Sequence, residues 1–178
     1  RGGVKLAGAA KAFDLNVANS VCVDVGSSTG GFTEFLLMEG ARRVYAVHVD
    51  VNQLDWRLRQ DSRVIPIQKN ARFLEASDIG EAADLVTIDA SFISLTMLLP
   101  RIPAILKAGG RCVALVKPQF EVGRERVGKG GIVKDEEDQR EAVEKCIRAG
   151  EAAGLGFLRS TESPITGREG NREFFILF

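Results

Sequence analysis

A chain of 178 residues that is 45% hydrophobic can bury one sizeable core, and no composition shift divides it, so one domain over residues 1–178 is expected. Its 24 basic and 24 acidic residues cancel, which excludes a general basic surface of the kind that grips nucleic acid. No apolar run nears the roughly 20 residues of a membrane span and no secretory leader is visible; Cys22, Cys112 and Cys146 lack metal-ligand spacing, which argues against a metal and for a reducing cytoplasm.

The first predicted element is a strand over 21–25 (VCVDV), apolar and mostly β-branched with one acid, as buried parallel strands are. Gly26 lets the chain leave it tightly, and Gly30 and Gly31 open a helix over 31–39 without side chains, so that a ligand can approach the backbone. A strand over 43–49, a short helix over 53–59 and a strand over 64–68 follow. Next come a strand over 83–89, a helix over 95–106 stopped by Gly109-Gly110, and a strand over 111–117. The longest helix is predicted over 135–153, with Ala142, Cys146, Ala149 and Ala153 on one face and Glu136 and Glu137 at its positive N-terminal end. Two last strands, 156–162 and 172–178, are joined by nine residues, too few for a helical crossover, so they pair antiparallel. Alternating strands and helices give an α/β fold: a mostly parallel seven-stranded sheet with one antiparallel strand and helices on both faces.

Ligands of open α/β sheets lie at the carboxyl ends of the strands. There stand Asp24 and the glycine turn, His48 and Asp50, Asn70-Ala71-Arg72, the group Asp89, Ser91 and Ser94, and the group Lys117, Gln119 and Glu121. The turn reads Gly26-Ser27-Ser28-Thr29-Gly30-Gly31, with serine where a dinucleotide fingerprint has its second glycine. Ser28 would crowd a pyrophosphate there, and no P-loop pattern is present. The pattern D-x-G-x-x-x-G-G-F, Asp24 to Phe32, resembles instead the first motif of S-adenosylmethionine-dependent methyltransferases.

The resemblance extends along nearly the whole chain. RGGVKL (1–6), DVGSSTGGFTEFLL (24–37), VNQLDWRLRQDSRV (51–64), DASFISL (89–95), LVKPQFEVGRERVGKGG (115–131) and SPITGREGNREFF (163–175) are similar, in order, to the TlyA or hemolysin A family of FtsJ-like RNA 2′-O-methyltransferases. That resemblance implies a Rossmann-like fold and S-adenosyl-L-methionine as cofactor. The implied substrate is a ribose hydroxyl of ribosomal RNA or a ribosomal subunit, in the cytoplasm. It places Lys5, Asp89, Lys117 and Glu173 at the family's Lys-Asp-Lys-Glu positions. It places Asp24, Gly26, Ser28, Thr29, Gly30, Gly31, Phe32, His48, Asp50, Asn70, Ala71 and Asp89 about the cofactor.

Those four residue types suit the chemistry. A ribose hydroxyl is a poor acid, so catalysis must aim it and remove its proton as attack proceeds. Lysine is ordinarily protonated at neutral pH, and burial or a nearby cation favours its neutral form while carboxylates oppose it. Lys117 is read as base or hydroxyl-orienting group held by Asp89, with Lys5 raising the local potential and Glu173 positioning the cations. Which lysine gives up a proton stays open. The chain departs from the family at Ala46-Val47-His48-Val49-Asp50, where His48 replaces the acid that meets the cofactor ribose and Asp50 is a substitute two residues on.

The segment EVGRERVGKGG after Lys117 is expected to form a mobile flap whose Arg124, Arg126 and Lys129 meet RNA phosphates, with Phe120 stacking a base. Trp56 and Phe92 are read as packing residues. Family members carry an N-terminal RNA-binding domain before the segment RGG, so this chain is read as the catalytic domain. Two other readings are a cofactor- or RNA-binding domain without catalysis, and a membrane-active hemolysin. No cationic amphipathic helix supports the second.

Overall fold

The computed structural model describes all residues from Arg1 to Phe178. Its helices are α1 (Gly2–Phe13), α2 (Gly31–Met38), α3 (Trp56–Gln60) and α4 (Glu136–Ala152). Its strands are β1 (Val21–Val25), β2 (Arg43–His48), β3 (Val64–Gln68), β4 (Ala83–Ile88), β5 (Leu106–Val116), β6 (Arg159–Glu162) and β7 (Phe174–Leu177). They form one seven-stranded sheet in the order β3-β2-β1-β4-β5-β7-β6. Pairs among β1 to β5 are parallel, and β7 runs antiparallel to both β5 and β6, so β7 is the one reversed strand the short final connection predicts.

Alternation along the strands sends side chains to two cores. Val21, Val23 and Val25 pack with Val86, Ile88, Cys112 and Ala114 under Ala142 and Cys146 of α4. Cys22, Val44, Ala46, Leu85 and Val113 face Leu6, Ala9 and Phe13 of α1 and Phe32, Leu36 and Leu37 of α2. The cysteines are buried packing residues, and desolvation pushes the Cys22 and Cys112 thiols up to about 12.

Two elements differ from the expectation. Residues 2–13, for which the sequence predicts no element, form α1: Leu6, Ala9 and Phe13 make a buried helical stripe, but glycines and alanines between them mute its periodicity. The helix expected over 95–106 is two single 3₁₀ turns, Leu95–Met97 and Leu99–Arg101. Pro100 and Pro103 remove two helical donors and disfavour helical backbone at the residues before them. Gly109-Gly110 then lies inside β5, at a register shift against β4, with Gly109 at φ 78°.

Two internal contacts set the strand exits that matter below. Gly26 leaves β1 at φ 83°, and a Cβ there would stand 2.1 Å from the Asp89 carbonyl oxygen at the exit of β4. Asp24, in the middle of the sheet and fully buried, accepts from Thr33 Oγ1 of α2 at 2.7 Å and from Thr87 Oγ1 of β4 at 3.3 Å. Desolvation, helped by the nearby Asp89 charge and opposed by the two hydroxyls, pushes its carboxyl up to about 7.

Gly26→Ala should lower unfolding free energy by more than the roughly 1–2 kcal/mol of left-handed backbone alone, because the Asp89 backbone must also retreat; urea denaturation measures it. Asp24 binds its proton more tightly folded than unfolded, so its contribution is full below pH about 4 and is lost as pH rises through about 7. The melting temperature of Asp24→Asn should therefore gain on that of the wild type across this window.

Candidate functional site

The exits of β1, β4 and β5, neighbours in the sheet, converge on a cavity of about 550 Å³. The glycine turn supplies Gly26, Ser27, Ser28 and Thr29 to its wall, and the start of α2 adds Gly31 and Phe32. Asp89, Ser91 and Phe92 come from the β4 exit, and Lys117, Gln119 and Phe120 from the β5 exit. The start of α1 and the turn before β7 close the remaining side with Arg1, Lys5, Arg168, Glu169 and Glu173. A second cavity of about 780 Å³ lies at the opposite strand ends, where Lys107 pairs with Asp84 at 3.2 Å and Arg159 donates to the Phe13 carbonyl at 2.9 Å.

Two ion pairs face the first cavity. Lys5 Nζ lies 2.6 Å from Glu173 Oε1, with both side chains buried, and joins α1 to the start of β7 across nearly the whole sequence. Lys117 Nζ lies 2.6 Å from Asp89 Oδ1 and also donates to Ser91 Oγ at 2.9 Å. Glu173 has little room to move, since a Cβ on Gly167 would stand 2.4 Å from its Oε2. Each lysine is thereby held at a fixed point by a carboxylate within 2.6 Å. The cavity thus presents two tethered ammonium groups beside a loop rich in hydroxyls and backbone donors.

The structure brings together Lys5, Asp89, Lys117 and Glu173, and with them Gly26, Ser28, Thr29, Gly31, Phe32 and Phe120. It does not bring all the expected cofactor residues to the cavity wall. Asp24 lies beneath the turn, sealed from any ligand and engaged with Thr33 and Thr87, so its role is to fasten α2 and β4 to β1. Packing by itself keeps Gly30 and Gly31 bare. A Cβ on Gly30, at φ 107°, would stand 2.2 Å from Leu58, and one on Gly31 would stand 3.0 Å from the Gly2 Cα.

His48, Asp50, Asn70 and Ala71 stand at the ends of β2 and β3, on the far side of β1 and outside the cavity wall. The His48 ring leans on the glycine turn, with Nδ1 accepting from the Ser28 N–H at 3.4 Å. Asp50 and Asn70 each cap a short turn through a side-chain oxygen, accepting from Asn52 N and Arg72 N at 3.0 Å. Ala71 packs against the core.

The basic loop departs further. Arg124, Arg126 and Lys129 are all absent from the cavity wall. Arg126 pairs with Glu141 and, at 3.3 Å, with Asp138, both on α4, so its charge is committed away from the site. Instead of a free flap, the loop is fastened by Asn171, which accepts from Val133 N at 2.9 Å and donates to the Gly131 carbonyl at 2.8 Å. The cations that do reach the cavity rim, Arg1 and Arg168, carry no signal in the sequence beyond their neighbourhood to Lys5 and Glu173. Phe92 and Trp56 are not packing residues: they are 90% and 64% exposed. Phe92 adopts φ 63° and pairs with Phe120 at 5.1 Å between ring centroids, at the cavity mouth.

The family model described as FtsJ-like methyltransferase matches residues 1–178. The YqxC protein of Bacillus subtilis is 46% identical over 178 residues, covering 99% of this chain and 63% of that protein. The protein named 16S/23S rRNA (cytidine-2′-O)-methyltransferase TlyA in Mycobacterium tuberculosis is 44% identical over 177 residues, covering 99% of this chain and 66% of that one. This chain therefore spans about two thirds of the length of those relatives. A Streptococcus thermophilus protein solved under a hemolysin name superposes with a TM-score of 0.96 at 44% identity, covering 99% of this chain and 65% of that one. Aeropyrum pernix fibrillarin, solved with S-adenosyl-L-methionine, shares the fold alone, at a TM-score of 0.68 and 18% identity over 92% of this chain and 68% of that one. A sequence match that runs from Arg1 to Phe178, on a sheet whose strand exits meet at one polar cavity, makes this chain a member of the FtsJ-like methyltransferase family.

Proposed function

We propose that this chain transfers a methyl group from S-adenosyl-L-methionine to a ribose 2′-hydroxyl of ribosomal RNA, in the cytoplasm, on the ribosome or its subunits. The observation that carries the reading is the meeting of Lys5, Asp89, Lys117 and Glu173 at one cavity beside the glycine turn. The 44% identity to the Mycobacterium tuberculosis rRNA methyltransferase supports it. A hemolysin role has less behind it, as no helix of the structure is long and apolar enough to cross a membrane.

The cavity fits the cofactor by size, about 550 Å³, inside the roughly 300–1,000 Å³ of small-molecule sites. It also fits by donor set, since hydroxyls of Ser28 and Thr29 and the backbone of Gly26 and Gly31 line one wall. These would hold the amino-acid end, with His48 and Asp50 toward the ribose and Asn70 and Ala71 toward the adenine. When bound, the cofactor supplies a methyl already activated by its sulfonium. The chain's own work is then to place an oxygen and manage its proton. Lys117 Nζ, tethered by Asp89, donates to the hydroxyl oxygen and orients it, the hydroxyl's proton leaves to solvent as the methyl bond forms, and Lys5 offsets the negative charge that builds on the oxygen. Glu173 keeps Lys5 in place. Phe120 would stack a base, and Arg124 and Lys129 would meet phosphates outside the cavity.

Calorimetric titration with S-adenosyl-L-methionine should show micromolar binding, and the same titration with NAD none; a chain that binds neither would refute the cofactor assignment. Lys117→Ala should keep cofactor affinity while ribosomal RNA methylation drops on the order of 10²–10⁴-fold. Cofactor binding without methylation in the wild type would favour a binding domain. Aspartate accepts charge-assisted hydrogen bonds that a neutral ring cannot, so His48→Asp should tighten cofactor binding about tenfold in the same titration.

A further inference from the structure

Lys117 is held at two points, and only one of them is a carboxylate. Besides Asp89 Oδ1 at 2.6 Å, its Nζ donates to Ser91 Oγ at 2.9 Å. An ammonium has three N–H donors, and the bond to Ser91 fixes where one of them points and with it the directions of the other two. Both partners come from the β4 exit, two residues apart: the ion pair with Asp89 sets where the nitrogen stands, and the hydrogen bond to Ser91 sets its rotation about its last bond.

The arch that carries Ser91 is itself fastened at both ends. The Asp89 N–H donates to the Val25 carbonyl at 2.9 Å. At the other end the buried Glu121 carboxylate accepts from Ser94 Oγ at 2.6 Å and from Leu95 N at 2.8 Å. Between these anchors Phe92 takes a left-handed conformation, φ 63°, which a phenylalanine adopts only where its surroundings impose it. Ser91 is therefore presented on an over-determined arch and not on a free loop.

We propose that Ser91 is a positioning residue for the methyl transfer assigned above, on which this inference rests. By accepting one N–H of Lys117 it fixes the rotation of Nζ and so the direction in which a further N–H meets the ribose hydroxyl. Without that acceptor the nitrogen rotates, and the hydroxyl meets a donor of undefined direction. Such a loss reduces rate and leaves ground-state binding alone.

The test compares Ser91→Ala with Ser91→Thr, which keeps the hydroxyl; Ser91 is exposed, so neither change threatens the fold. Ser91→Ala should lower kcat for ribosomal RNA methylation on the order of tenfold to a hundredfold, the effect of one hydrogen bond to a charged group. KM for RNA and the calorimetric Kd for S-adenosyl-L-methionine should stay within about twofold, and Ser91→Thr should recover most of the rate. Pulse acetylation with acetic anhydride, read by mass spectrometry, needs no RNA: Lys117 should label faster in Ser91→Ala than in the wild type, with Lys5 unchanged. A wild-type kcat in Ser91→Ala, a loss confined to KM, or unaltered Lys117 labelling would overturn the positioning role alone. A wild type that methylates no RNA would overturn that role together with the function it serves.

Discussion

The exits of β1 and β4 lie so close that no side chain fits between them, and the rest of the site is built on that approach. Gly26 turns away from β1 against the Asp89 carbonyl, while the Asp89 N–H bonds back to Val25. Parallel neighbours in a sheet end at the same level, so a short, bare exit from one strand places the last side chain of the next beside it. Asp89 is fixed by this contact, Lys117 is fixed by Asp89, and the wall of the cavity follows from both. A methyl group at Gly26 would move all three.

Charge is managed differently on the two sides of that contact. Above it, Lys5 is buried and Lys117 half-buried, each against one carboxylate, an arrangement that does little for stability because desolvation offsets most of the attraction. Its use is directional: a paired ammonium stays where its partner holds it. Below it, Asp24 has no cation at all. Two threonine hydroxyls satisfy its oxygens, and burial raises its carboxyl to about 7, so it fastens α2 and β4 to β1 by hydrogen bonds more than by charge.

Each part of the fold was legible where the sequence carried a period or a spacing. The apolar run of β1, the Gly26–Gly31 turn and the nine residues before β7 specify local backbone directly, and the parallel sheet with its one reversed strand follows. α1 was not legible, because it opens on Gly2 and Gly3, packed against Gly31, and alanines dilute the apolar stripe that follows. Pro100 and Pro103 broke the helix that the apolar residues of 95–106 suggested. Arg126 was misread for a related reason: a cation in a glycine-rich segment looks free until the helix opposite it is known, and here α4 presents Asp138 and Glu141.

By itself the sequence determined the strand exits, the family pattern and the identity of the two lysines and two acids that pair at the cavity, because these depend on residues within a few positions of one another or on matched motifs. Only the tertiary structure decided that Lys5 meets Glu173, that Ser91 shares Lys117 with Asp89, that Asp24 is closed off and that the basic loop is fastened to Asn171. Those contacts join segments whose separation along the chain carries no local signal. Packing of α1 and α4 against the sheet brings them within hydrogen-bond reach, and burial then fixes which charges are paired.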